Sequence, residues 1–456
     1  MKESLTVQTP LQIQSVEQSG SEDLRSAQRE IPHSGRAANS QSAVVEAAAP
    51  EAAAAEPGGL KHRHVIAVAS SLCATSFAAL GLPPFLSRLL PELGDPQARW
   101  AGLLYILPTL FTGISAPFWG RLADRFGCKP LLIRAQLGLC VAFGLAAIAQ
   151  NIPMLVAALV LQGLLGGTYA ASTAYLASGL SGAPLASALT LMQAASRVSL
   201  AAAPVLAGLL STFLDVRQMY AVAVLMPLSA ALLTMTLPKA QQRSPLSSAE
   251  PKHESAQKPR AALSVMGYCL AEAGFVLATV VTFPYFVPLV TGVSPELPLT
   301  VAGVLFALPH LFYLLTAALV LSRVRERPKL ALIAGFSAVA LAAIPQLLSL
   351  QWPGVPGLVL LILGRLLLGA GLSLGLSALS VFAAGLAAEH QPGRLFGRIE
   401  AFSKGGAVIA GLAASALISW GLGTPLLISL ATSIVLILVL YRSSRQRPPA
   451  LLPTHD

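Results

Sequence analysis

Between about residue 63 and about residue 441 the chain is a succession of apolar runs, each close to the length of a bilayer crossing and separated only by short polar or charged pieces. A hydrocarbon core is roughly 30 Å thick, which an α-helix of about 20 residues spans at about 1.5 Å per residue. The runs lie near 63–86, 100–120, 130–150, 153–177, 187–212, 217–237, 262–288, 299–322, 328–350, 356–385, 395–420 and 424–441. They predict an all-α membrane protein with twelve transmembrane helices. Gly and Pro interrupt several runs, as in "GLPPF" and "FPYFVP", which helices in lipid tolerate when neighbours satisfy the freed backbone groups. A barrel would show shorter segments alternating apolar and polar residues. Only 11% of residues are charged, against roughly a quarter in a soluble domain, so a soluble globule is excluded.

The net charge of +10 invites a nucleic-acid reading, but the positions of the cations argue against it. With both termini cytoplasmic, most Lys and Arg fall in or beside cytoplasmic segments, while Arg88, Arg99 and Arg217 face outward. This is the positive-inside bias of a multi-pass protein in a plasma (bacterial inner) membrane. Cys73, Cys128, Cys140 and Cys269 show neither metal spacing nor a disulfide framework. With no nucleophile and base set in view, the expectation is a non-enzyme without metal or cofactor, monomeric, whose partners are the lipid bilayer and a small-molecule substrate.

Composition divides the chain. Residues 1–60, rich in Ser, Gln, Glu and Ala, read as a disordered cytoplasmic N-terminal tail. Residues 61–238 form a first six-helix bundle, 239–261 a polar cytoplasmic linker, 262–441 a second six-helix bundle and 442–456 a cytoplasmic C-terminal tail. The halves look like repeats. "QAASR" (Gln193–Arg197) in helix five aligns with "EAFSK" (Glu400–Lys404) in helix eleven at an offset of 207, and "LVLQG" (Leu159–Gly163) in helix four with "RLLLG" (Arg365–Gly369) in helix ten at 206. Two parallel, pseudo-symmetric bundles that rock about a midplane site are the architecture of alternating access.

Between helices two and three, "SAPFWGRLADRFGCKPLLIR" gathers Arg121, Asp124, Arg125, Lys129 and Arg134. Basic short loops serve topology alone in many membrane proteins, but the spacing here is more specific than the charge. Gly120, Leu122, Ala123, Asp124, Arg125, Gly127 and Lys129 resemble the G-x-L-A-D-R-x-G-R-K signature of the major facilitator superfamily, and the resemblance extends over residues 60–445. Cys128 departs from it, standing where a second basic residue is usual. The resemblance implies the major facilitator fold and a loop that latches the inner face shut, with Gly120, Asp124, Arg125, Gly127, Lys129 and Glu400 as gating residues.

The wider run is similar to the drug-efflux branch and its siderophore-exporting relatives. In helix five, "AAAPVLAGLL" keeps only part of an antiporter motif, at Pro204, Ala207 and Gly208. Helix four has Leu159 where the branch carries arginine, although Gln162 and Gly163 remain; Arg365 occupies the pseudo-symmetric place in helix ten.

A charge at the bilayer centre costs roughly 2.5–3.5 kcal/mol even on lenient scales, so each survivor requires a partner, water or a role. Glu272, in "YCLAEAGF", and His310, in "ALPHLF", are the candidate proton-coupling groups. The simpler alternatives are a static ion pair of Glu272 with Arg197, Arg365 or Lys404, and a hydrogen-bonded interior histidine. Candidate substrate-binding residues are Arg197, Arg365, Lys404, Arg134, Gln162 and Gln193. The glutamines, Gln136 among them, equally suit bridging between helices, and Glu400 and Lys404 are spaced to pair with each other. Surplus cations over Glu272 and Glu400 favour an anionic or zwitterionic solute. The expected function is a proton-driven secondary transporter that exports such a metabolite, a siderophore for example. Multidrug antiport and organic-anion uptake are the alternatives, and a membrane sensor or scaffold stands behind them.

Overall fold

The computed structural model describes residues 60–82, 89–96, 100–211, 213–239 and 263–445. Within them the chain is built of long helices, and twelve passes can be followed: α1 His62–Gly81, α2 Ala101–Phe126, α3 Cys128–Ala147, α4 Ile152–Gly179, α5 Gly182–Leu210, α6 Val216–Thr236, α7 Val265–Val293, α8 Leu299–Glu326, α9 Pro328–Ser349, α10 Val355–Ala387, α11 Pro392–Leu417 and α12 Thr424–Arg445. Ten of these are long and apolar enough to cross a membrane, and α2 and α5, with 26 and 29 residues, complete the set. The readings of the first 60 residues, the 239–261 linker and the 442–456 tail lie almost wholly outside the described residues.

Local chemistry sets the ends. Asn151 accepts the Met154 N–H at 2.9 Å and Pro153 sits in the first turn of α4. Asp215 and Gln218 close a reciprocal capping box at α6, and Ser264 caps α7 through the Gly267 N–H. Each satisfies donors that have no partner inside the helix. The α2–α3 reversal takes a single residue, Gly127, at φ 96°, a conformation costly for any residue with a Cβ.

Three passes are interrupted. The breaks in α4, between Leu165 and Thr168, and in α6, at Val224, are not visible as gaps in hydropathy. In α4, Gly167 adopts φ 79° and restarts the helix; the carbonyls left over at the break bind Trp119 Nε1 (Leu164 O, 2.6 Å) and Arg134 Nη1 (Leu165 O, 2.7 Å). The α7 break lies at the Pro-containing turn Phe283–Tyr285, as the "FPYFVP" stretch suggests.

The helix neighbours come in matched pairs. Contact of α1 with α5 is mirrored by α7 with α11, α2 with α11 by α8 with α5, and α4 with α11 by α10 with α5. This exchange of helix n for helix n+6 is the pseudo-two-fold relation of two six-helix bundles. In the second bundle α9 and α10 pack backbone to backbone: a Cβ on Gly335 would lie 2.7 Å from the Gly375 nitrogen, and one on Gly371 3.1 Å from the Gly335 carbonyl oxygen. Without a hydrophobic drive between helices in lipid, small residues supply the close fit. Gly335→Val is therefore expected to cost about 1–3 kcal/mol and lower the thermal unfolding midpoint of the purified protein. Gly303→Ala in α8, where an added Cβ meets nothing within 4 Å, is expected to leave that midpoint unchanged or raise it.

Candidate functional site

The two halves meet most intimately where α2 crosses α11. Gly113, Ala116 and Gly120 on α2 face Gly393, Gly397 and Ala401 on α11: a Cβ on Gly397 would lie 2.6 Å from the Ala116 carbonyl oxygen, and one on Gly113 3.1 Å from the Lys404 Cβ. Gly120 and Gly393 are in backbone contact. Below this row, at the end carrying the α2–α3 turn, Asp124 reaches across the halves. Its carboxylate accepts the Gly393 N–H at 2.7 Å and the Arg394 N–H at 2.8 Å, and Arg394 Nε stands 3.7 Å from Oδ2. Gln391, at the N-cap of α11, provides no side-chain bond. Asp124 thus caps, from the other half, a helix that lacks its own cap, and its negative charge sits on the positive end of that helix.

The second seam has a smaller seal at the same end. Tyr313 Oη on α8 donates to the Thr190 carbonyl of α5 at 3.2 Å, and Arg325 binds the Ala183 carbonyl at 3.1 Å and the Ser187 hydroxyl. On the side of the seals away from the α2–α3 turn, α2 and α11 part around a cavity of about 320 Å³ that Lys404 helps line.

Between the seams lies a buried polar cluster drawn from both halves. Glu272 on α7 is 6% exposed and accepts from Tyr268 Oη at 3.4 Å, with Ser403 of α11 beside it. Glu400, one turn before Ser403, is 4% exposed and close enough to interact with Glu272 electrostatically. It pairs with Lys404 Nζ at 3.5 Å, the pairing that the i,i+4 spacing suggests. Arg197 on α5 lies within electrostatic reach of Glu272, Tyr169 and Tyr313, while its Nε is buried without a hydrogen-bond partner. Among the described residues, Glu272 forms no ion pair with Arg197, Arg365 or Lys404.

Other predicted residues go elsewhere. Arg365, fully buried in α10, donates from Nε to Leu305 O at 2.9 Å and from Nη2 to Phe306 O at 2.7 Å, with its guanidinium 4.1 Å from the Phe286 ring centre. Pro309 lacks the N–H that would bond Leu305 O, so this arginine repairs a proline defect in α8. Nη1 is left without a partner. His310 lies between the Phe283 and Phe306 rings with neither nitrogen hydrogen-bonded, which differs from the interior hydrogen bond considered above.

Arg134 is spent on the α4 break and stacks 3.5 Å over Trp119. Lys129 binds the carbonyls of Met235 and Leu237 at the end of α6, within its own half. Arg125 is exposed against Phe126. Among the described residues, Asp124 is the predicted charged latch residue that bonds across to the other half, where Arg394 is a cation beside it. Gln136 bridges Ser71 and Thr234 at 2.6 and 3.0 Å; Gln162 is buried in α4, and Gln193 is half-buried in α5.

Sequence reasoning passed over Tyr268, Tyr169, Tyr313, Ser403 and Arg394. Tyr268 stands four residues before Glu272, so helical spacing was a usable signal for it. The remainder are brought in by packing between helices.

The family model described as Major Facilitator Superfamily matches residues 66–355. The "Multidrug resistance protein MdtG" of Yersinia enterocolitica is 43% identical over 100 residues, 21% of this chain and 24% of that protein. The protein of the same name from Proteus mirabilis is 41% identical over 88 residues, 18% and 22% of the two chains. The chain thus spans about a quarter of these curated relatives' length. Among solved structures, the human organic anion transporter MFSD10 (TETRAN) superposes with a TM-score of 0.63 at 19% identity, covering 83% of this chain and 99% of that one. A bacterial homologue of the iron transporter ferroportin, in an outward-facing state, gives 0.59 at 15% identity, covering 84% and 99%.

Loss of the Asp124 cap has a definite expected effect. A charge-assisted cap of this kind contributes about 1–2 kcal/mol, so Asp124→Ala is expected to raise the population with α2 and α11 separated at this end roughly tenfold. Spin labels on the two helix ends read this directly, as growth of a longer-distance component.

Proposed function

This chain belongs to the Major Facilitator Superfamily, and we propose that it is a proton-coupled exporter of small organic anions or zwitterions, working by alternating access across the inner membrane. The observation that carries this reading is the cluster of Glu272, Glu400, Tyr268, Tyr169, Tyr313 and Arg197. Its members come from α4, α5, α7, α8 and α11, helices of both halves that must move relative to each other. Ionisable groups inside a membrane are costly and mark substrate or ion pathways and proton relays. In this reading Glu272 takes up the proton, and Arg197 and Lys404 hold substrate charge.

The latch end carrying Asp124 is the cytoplasmic end in this reading, so the described conformation is closed toward the cytoplasm. Binding and release of a proton at Glu272 alter the contact of α7 with α11, and α11 is the helix that Asp124 caps. This links protonation to opening through one shared helix.

The cation surplus inferred from sequence is smaller than it looks. Arg365 and Arg134 are held by backbone carbonyls and aromatic rings, while Arg197 and Lys404 face two carboxylates. An amphipathic organic anion fits this balance better than a highly charged siderophore, which remains one candidate of the class. Multidrug efflux is the second reading, favoured by the local similarity to MdtG.

The test uses proteoliposomes under an imposed proton gradient, with a fluorescent aromatic carboxylate and a lipophilic dye cation as parallel probes. Gradient-driven carboxylate flux is expected to fall at least tenfold in Glu272→Gln, while exchange of substrate without a gradient persists. Flux insensitive to that change contradicts the proton site; flux of the cation alone favours the multidrug reading.

A further inference from the structure

The seam between α2 and α11 is sealed over one part of its length and open over the next. From Gly113 to Asp124 on α2, and from Gly393 to Lys404 on α11, the backbones are in near contact. At the Gly113 and Lys404 end of this contact the cavity of about 320 Å³ begins, and it extends past Thr109 and Ile409, away from the α2–α3 turn. Its walls are apolar at Leu110, Ile114, Val408 and Ile409, and among the described residues Lys404 is the charged one that lines it. Ile114 and Ile409 are 62% and 55% exposed, and Ile114 lies one turn before the exposed Phe118, on an apolar belt of α2 that continues alongside the sealed part of the seam. In a membrane that belt meets acyl chains, so the cleft has a side facing lipid and a floor at the charged cluster.

A cleft left apolar on all sides would simply fill with lipid. This one has an ammonium at its base. Lys404 stands 3.5 Å from Glu400, wider than the roughly 2.7–2.9 Å of a charge-assisted hydrogen bond, and an ammonium has three donors. It therefore retains capacity for a second acceptor. The volume sits at the lower edge of the roughly 300–1,000 Å³ usual for small-molecule pockets, room for one chain or ring system and too little for a two-chain phospholipid.

We infer that the α2–α11 cleft is a side entrance from the bilayer for a single-tailed amphipathic anion, whose tail lies between Ile114 and Ile409 while its head is received by Lys404. This deepens the transporter reading and rests on it for direction of movement, but the binding event stands separately. It sets the substrate class by shape: one charged head and one apolar body short enough to leave the head at the polar cluster.

Gly405 gives a means of testing it. This residue lines the cleft, and a Cβ added there meets nothing within 4 Å, so Gly405→Leu fills the entrance without a clash at its root. The full chain in lipid nanodiscs would be photolabelled with a long-chain diazirine carboxylate, its alcohol analogue and a photoactivatable two-chain anionic phospholipid, without any proton gradient. The carboxylate is expected to label peptides containing residues 109–114 and 401–409, and Gly405→Leu to reduce this at least fivefold with an unchanged thermal midpoint. Lys404→Gln is expected to reduce carboxylate labelling alone, and Lys404→Arg to restore it. Equal labelling by carboxylate and alcohol, equal or greater labelling by the phospholipid, or labelling unaffected in folded Gly405→Leu would each overturn the proposal. Because no transport is measured, failure here and failure of proton-driven flux are separate results.

Discussion

The fold turns on a contact between two helices that carry almost no side chain where they touch. Gly120 against Gly393 and Gly397 against Ala116 bring α2 and α11 to backbone distance, and Asp124 fastens the end by capping α11 from across the seam. In lipid, close packing of small residues and hydrogen bonds between helices do the work that hydrophobic burial does in water. Such a contact is strong when the backbones fit and is lost quickly once they separate, because few side chains follow the movement. That is what the proposed gate requires, and a larger residue at any of these positions would hold the helices apart.

The buried charges divide by what satisfies them. Arg134 and Arg365 are each committed to carbonyls that a helix irregularity has freed, the α4 break in one case and Pro309 in the other, and each stacks on an aromatic ring. They make irregular helices tolerable in a membrane. Glu272, Glu400, Arg197 and Lys404 have looser arrangements, with one ion pair at 3.5 Å and one hydrogen bond at 3.4 Å. Groups held loosely can exchange partners, and these four lie where helices of both halves meet.

Much of the architecture was legible from the sequence because a bilayer imposes one length and one polarity on every crossing. The helix count, the offset that pairs Gln193–Arg197 with Glu400–Lys404, and the turn at Gly127 follow from those constraints. The α4 break did not, since Gly166 and Gly167 leave hydropathy unchanged and reveal themselves only through the carbonyls taken up by Trp119 and Arg134. Asp124 was readable from its spacing, but Arg125 and Lys129 carry the same charge as Arg394 and differ from it only in which way their helices face. Charge counting likewise overstated the cationic surplus, because a sequence does not show that an arginine has been spent on a proline's orphaned carbonyl.

The most direct measurement is a reversible tether across the latch. Arg125→Cys and Arg394→Cys would be combined in a chain with its four native cysteines replaced, joined by a short cleavable thiol cross-linker and assayed for carboxylate flux in proteoliposomes. A gate that must open at this end predicts that the tether abolishes flux and that cleavage restores it. Undiminished flux with the tether in place would contradict the account.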